Sequence, residues 1–153
     1  MVRVEVDTTI NRPIEEVFNY ASDIDRQPEW VSPLIESEKT SDGPTAVGTT
    51  YRQAAKFLGR RMDMNCEITG YESPRLYAFR AKNGPMHMEM QFTLTSEGPE
   101  STRVTQVVEG ESAGFFKLGD PILARTMKKQ FVADLETLKT LLESGLESES
   151  TAS

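Results

Sequence analysis

Near the C-terminus, Leu123, Met127, Phe131, Leu135, Leu138 and Leu142 recur at three- and four-residue steps, which places them on one stripe of an α-helix. Asp120 can cap this helix, Pro121 suits its first position, and Gly145 ends it. A helix from 120 to 144 is roughly 35 Å long, and its stripe needs an apolar surface of matching length. Everything that precedes it for about seventy residues reads as strand, so that surface is expected to be one face of a sheet.

The strands are read from period-two alternation and turn chemistry. Val2, Val4, Val6 and Ile10 alternate with Arg3, Glu5, Asp7 and Thr9, giving a first, half-buried strand. Asn11-Arg12-Pro13 then opens a helix with Ile14, Val17, Phe18 and Ala21 on its buried side and Glu15 and Glu16 at its positive end. Ser22-Asp23 can cap a second short helix, interrupted by Gln27-Pro28 before Trp30. Six strands follow, at Leu34–Lys39, Thr49–Phe57, Arg60–Tyr71, Leu76–Ala81, Met86–Thr95 and Thr102–Glu111, separated by Gly, Pro and polar turns. Helices segregated at the two ends of a strand run make the class α+β. The expected architecture is a seven-stranded curved antiparallel sheet around a long C-terminal helix, with two short helices after strand 1. The gap between a curved sheet and a straight helix is expected to hold a cavity.

The chain has 153 residues, the length of one ordinary domain, so residues 1–145 are expected to form a single domain and 146–153 a disordered acidic, Ser-rich tail. With one cysteine, Cys66, and one histidine, His87, an intramolecular disulfide is impossible and no metal site is expected. A formal charge of −7 disfavours a nucleic-acid or anionic-membrane partner. No apolar run approaches a bilayer span and the N-terminus lacks a secretory pattern, so the expected compartment is the cytoplasm, without integral membrane association. Oligomeric state has no signature in the sequence.

The run Arg12-Pro13-Ile14-Glu15-Glu16-Val17-Phe18, then Asp23 and Trp30, then Val47-Gly48-Thr49 and Ser101-Thr102-Arg103-Val104-Thr105 resembles the START/Bet v 1-like (SRPBCC) superfamily, in particular its polyketide cyclase/dehydrase-like bacterial branch. The resemblance covers about residues 2 to 143. The Gly that often precedes Thr-Arg-Val-Thr in that family is Ser101 here. The resemblance implies a helix-grip fold holding an apolar or amphipathic ligand, in a family of carriers, cyclases and hydrolase-like enzymes; the fold does not choose among them.

Methionine placement is the strongest local signal. Met62 and Met64 alternate with Cys66 and Ile68 on one strand, and Met86, Met88 and Met90 with Phe92 and Leu94 on another. Unbranched, polarizable thioethers make a deformable apolar wall, suited either to a ligand or to irregular core volume. Opposite them the helix presents Met127 and Phe131. Tyr51, Gln53 and Phe57 share the inward parity of their strand, and the first two can orient a ligand by hydrogen bonds or satisfy buried backbone. On the next-but-one strand, inward parity is ambiguous between Tyr77/Phe79 and Leu76/Ala78/Arg80. Phe115 and Phe116, flanked by Gly114 and Gly119, read as a gate at the cavity mouth, whereas Trp30 reads as packing the short helices onto the sheet. Inward methionines force His87, Glu89 and Gln91 outward, and Asp63 and Glu67 likewise, so these are read as solvated rather than catalytic. No phosphate loop, nucleophile elbow or metal motif is present.

The leading expectation is therefore binding of a small hydrophobic molecule without a cofactor, since inward ionisable groups are few. One alternative is a cofactor-independent cyclase or dehydratase acting on an aromatic or polyketide-type substrate, with Tyr51, Gln53 or Arg80 polarising a carbonyl. A second is a ligandless interaction module.

Overall fold

The structure, a computed structural model, describes residues 2–32, 34–57, 59–83, 86–111 and 121–144, with the side chains of Val2, Phe57, Asn83, Met86, Glu111 and residues 121–123 left aside. The expected gate, Phe115 and Phe116, and the expected tail, 146–153, lie outside the described residues.

Seven strands form one antiparallel sheet: β1 (Val2–Ile10), β2 (Leu34–Lys39), β3 (Thr50–Phe57), β4 (Arg60–Glu72), β5 (Leu76–Asn83), β6 (Met86–Gly98) and β7 (Ser101–Glu111). Their spatial order is β1-β7-β6-β5-β4-β3-β2, so six successive strands meander and the first pairs with the last. β1 and β2 are therefore at opposite edges. The chain crosses between them through α1 (Ile14–Ala21) and a 3-10 helix (Ile24–Glu29). Asp23 caps the latter by accepting from the Asp25 amide, and Pro28 sits inside it.

Helix α2 (Pro121–Glu143) lies against the sheet, and Leu135, Leu138 and Leu142 are buried in one core with Val4, Val6, Ile10, Ile68, Val104 and Val108. Together these elements are a helix grip: a curved sheet closed on one face by a C-terminal helix. Among the described residues no helix is long and apolar enough to cross a membrane.

Several boundaries differ from the sequence reading: β3 begins at Thr50, β4 ends at Glu72 and β5 ends at Asn83. Pro13 stands at the N-cap of α1 with no side-chain cap, rather than inside its first turn. Asn11 and Arg12 are occupied elsewhere: the Asn11 amide donates to Glu143 Oε2 at 2.8 Å, and Arg12 Nε donates to Leu142 O at 2.9 Å. The polar turn expected at 96–101 shrinks to Pro99 and Glu100, because β6 continues to Gly98 and β7 begins at Ser101.

The ambiguous parity of β5 is settled by its neighbours. Phe79 pairs with Ile68 and Met90, and Ala81 with Cys66 and Met88, all on the concave face. Tyr77 and Phe79 therefore point inward, while Arg80 points outward between Glu67 and Glu89 and reaches Glu89 Oε1 at 3.4 Å. A bulge between Ile68 and Gly70 shifts this pairing by one residue, which alternation along β5 alone does not reveal.

Candidate functional site

Between the sheet and the N-terminal half of α2 lies a cavity of about 150 Å3. Its sheet wall is built from Gln53 and Ala55 of β3, Met62 and Met64 of β4, Phe79 of β5, Met88, Met90 and Phe92 of β6, and Gln106 of β7. The strict two-residue spacing on each strand is what aims these side chains at one face. Met127, Gln130, Phe131 and Asp134 of α2 form the roof, and Gln27, Trp30, Val31 and Leu34 close one end.

Most residues singled out in the sequence thus border one space: Gln53, Met62, Met64, Met88, Met90, Phe92, Met127 and Phe131. Tyr51 is not among them. It is buried one layer behind, where its hydroxyl lies 3.3 Å from that of Tyr77. The side chains of Phe57 and Met86, like Phe115 and Phe116, are outside the described residues. Trp30 does more than pack helices onto the sheet: its ring meets Phe92 edge-on at 5.8 Å and also borders the cavity. His87 is substantially exposed on the outer face, with Nε2 4.0 Å from Glu89 Oε1.

The cavity is better furnished with polar groups than the sequence reading allowed. Gln27, Gln106, Gln130 and Asp134 all border it. Gln106 was accessible from the Val104-Gln106-Val108 alternation, and Asp134 from its helical phase, three residues after Phe131 and seven after Met127. Gln27 carried no such signal, because a six-residue 3-10 helix is too short to show a period.

At the closed end these groups form a buried network. Gln53 Nε2 donates to Gln27 Oε1 at 2.6 Å and to Ser37 Oγ at 3.1 Å. Gln27 Nε2 donates to the Tyr77 hydroxyl at 3.0 Å, and the Cys66 thiol lies 3.9 Å from Gln53 Oε1. Burial pushes the Tyr77 hydroxyl and the Cys66 thiol each up to about 12, and raises Tyr51 well above its ordinary value. All three are therefore neutral at pH 7, so this network can orient a ligand but offers neither thiolate nor phenolate. Among the described residues Asp134 is the one carboxyl bordering the cavity, 2% exposed, and desolvation raises its pKa. It accepts from the Ser32 amide at 3.1 Å, which ties α2 to the segment before β2, and from Gln130 Nε2 of its own helix at 2.9 Å. No cluster of His, Cys, Asp and Glu that could hold a metal occurs among the described residues.

A curved antiparallel sheet gripping a C-terminal helix over an internal cavity defines a START/Bet v 1-like (SRPBCC) protein. The chain belongs to the family described as polyketide cyclase / dehydrase and lipid transport, whose model matches residues 1–143. Among solved structures it is similar to the ZhuI aromatase/cyclase from Streptomyces sp. R1128, at 19% identity and a TM-score of 0.74, covering 94% of each chain. A START superfamily protein from Mycobacterium smegmatis matches at 18% identity and a TM-score of 0.69, over 97% of this chain and 99% of that one. The di-domain aromatase/cyclase BexL matches at 16% identity and a TM-score of 0.74; 95% of this chain is covered, but it spans only 48% of BexL. At these identities the likeness is one of fold. No curated protein matches the chain in sequence. Family and neighbours fit a ligand-binding or polyketide cyclase-like protein.

Proposed function

We propose that this protein binds a small hydrophobic or amphipathic molecule in the cavity between the sheet and α2. The observation that carries the reading is the wall itself: Met62, Met64, Met88, Met90 and Met127 surround one space of about 150 Å3. Well-packed interiors leave few voids of this size, and an apolar cavity of similar volume can hold a benzene-sized guest. The neutrality of Tyr51, Tyr77 and Cys66 favours holding a ligand over attacking one.

A cofactor-independent cyclase or dehydratase is the second reading, and one observation favours it. A buried carboxyl whose pKa desolvation raises, Asp134, borders the same cavity, the kind of group that can exchange a proton with a bound substrate.

The test is thermal stabilisation by a panel of apolar aromatic and aliphatic compounds, in the parent and in Met88→Trp. Binding predicts that some compound raises Tm in the parent and not in the variant, whose indole occupies the space. His87→Ala, on the outer face, should respond like the parent. If no compound stabilises the parent, and Met88→Trp costs the roughly 1–3 kcal/mol of an overpacked core, the methionines are core filling and the ligandless reading stands.

A further inference from the structure

The lining of the cavity is one-sided in charge. Asp134 borders it, while no Lys, Arg or His does among the described residues. The protein uses only half of this carboxyl: its hydrogen bonds from the Ser32 amide, at 3.1 Å, and from Gln130 Nε2, at 2.9 Å, both end on Oδ1, and no N–H of a described residue reaches Oδ2. Nor is Oδ2 sealed away. The described side-chain atoms that are both shut off from any surface and unbonded belong to Glu16, Trp30, Arg80 and Gln106, not to Asp134. A second acceptor stands beside it. Oδ1 already accepts from the Ser32 amide, so Gln130 faces it with nitrogen; that nitrogen also donates to Ser32 Oγ, and Oε1 is left as the free end of the amide. Gln130 borders the cavity too, and its Oε1 is likewise neither bonded to a described residue nor sealed.

We propose that the ligand is an amine cation with an apolar body of about one ring, its N–H groups donating to Asp134 Oδ2 and Gln130 Oε1; this rests on the binding reading above. The 2.9 Å bond between the two residues keeps their open oxygens side by side, and a primary or secondary ammonium carries enough N–H donors to fill both. Met127, Gln130, Phe131 and Asp134 follow one another at three- and four-residue steps on α2, so these acceptors stand directly beside apolar surface that can take the body. The remaining wall opposes no positive charge: thioethers are weak acceptors, and aromatic rings attract cations. Burying a charge is costly unless it is paired and hydrogen-bonded, and this corner of the roof supplies both to a cation. The pairing holds whichever form the empty site takes. Where desolvation leaves Asp134 protonated, a neutral amine accepts that proton on its nitrogen lone pair and the same ammonium and carboxylate result. A carboxylate ligand would meet a like charge with no counter-ion, and a cavity of about 150 Å3 suits one ring rather than several.

The test compares benzylamine, toluene and benzoate, which share one ring and differ in charge, by titrating the fluorescence of Trp30, the single tryptophan and a residue of the cavity lining. Benzylamine should bind about tenfold or more tightly than toluene, and benzoate most weakly. Asp134→Asn should cut the ratio of benzylamine to toluene affinity at least fivefold while leaving toluene itself little changed. Glu67→Gln removes the same unit of charge from the outer face and should keep the parent's ratio. Equal binding of benzylamine and toluene, or tightest binding by benzoate, overturns the amine assignment and leaves the binding reading intact. A ratio cut less than fivefold in Asp134→Asn, or cut equally in Glu67→Gln, overturns the site by assigning the preference to the net charge of the chain. If none of the three binds, the binding reading falls and this one with it. The ranking of ligands needs only the parent protein, so it stands even if a variant does not fold.

Discussion

Replacing Arg12 by alanine should destabilise the protein by about 2 kcal/mol, because Arg12 fastens the end of α2. Its guanidinium donates from Nε to Leu142 O at 2.9 Å and from Nη2 to Glu143 O at 3.3 Å. These are among the carbonyls that a helix end leaves without intrahelical partners. A hydrogen bond from a charged donor contributes roughly 1.5–3 kcal/mol when shielded. Arg12 is half-buried and its second bond is long, so about 1–1.5 kcal/mol for the pair is the better figure. A cation at a helix C-terminus adds about 0.3–1 kcal/mol. For a chain of this size each kcal/mol moves Tm by about 2–4 °C, so the expected loss is about 4–8 °C. Urea unfolding followed by Trp30 fluorescence and by circular dichroism should show a lower midpoint with an unchanged m-value. Arg12→Lys should recover only part of the loss, since an ammonium cannot present two parallel donors. A change within about 0.5 kcal/mol, the range of ordinary surface substitutions, would refute the clamp.

Two further expectations concern pH. The Glu143 carboxyl accepts from the Asn11 amide and from Lys139, which hold its pKa below 4.5. Its contribution is present above pH 4.5 and is lost as pH falls through the lower folded value, so Glu143→Gln should be less stable than the parent at pH 7 and converge with it in acid; a pH-independent gap in urea midpoints would contradict this. Asp134 has the opposite sign. Burial raises its pKa above 3.8, so the folded state loses stability as pH rises through the raised value, and Asp134→Asn should be the more stable form at pH 7, with the advantage shrinking toward pH 4. An Asn variant less stable than the parent at pH 7 would show that the Ser32 and Gln130 bonds outweigh desolvation.

What was legible in the sequence was whatever repeats. The stripe of α2 and the methionine alternation on β4 and β6 depend only on helical and strand periods, and their described members, among them Met64, Met88, Met127 and Phe131, lie where those periods require. Parity on β5 was not legible, because Tyr77/Phe79 and Leu76/Ala78 are both apolar enough to face inward and the deciding register with β4 and β6 is not written in β5 itself. Tyr51 shows a second limit: inward parity fixes the face but not the depth, and its hydroxyl ended in the network with Tyr77 rather than in the cavity. The tie between Arg12 and the end of α2 joins residues 130 positions apart, a distance at which no local pattern carries information.

The two halves of α2 do different work, and this explains why a cavity lies under one of them. Leu135, Leu138 and Leu142 are at most 1% exposed, and the same half is held by Arg12, by the Asn11 amide and by Lys139 donating to Thr9 O. The half that carries Met127 and Phe131 stands over the thioether wall, and its tie is the Asp134 carboxylate on the Ser32 amide. A straight helix cannot follow a twisted sheet along its whole length, so close packing at the C-terminal end leaves the N-terminal end standing off. Branched leucines with few rotamers suit the packed half, and unbranched methionines suit the half whose contents can change. Substitutions should divide accordingly. Those at Leu138 or Arg12 lower stability without altering which ligands are preferred, while those at Met62 or Met88 alter preference at smaller cost to the fold, because these thioethers are only partly buried against the core that holds the helix down.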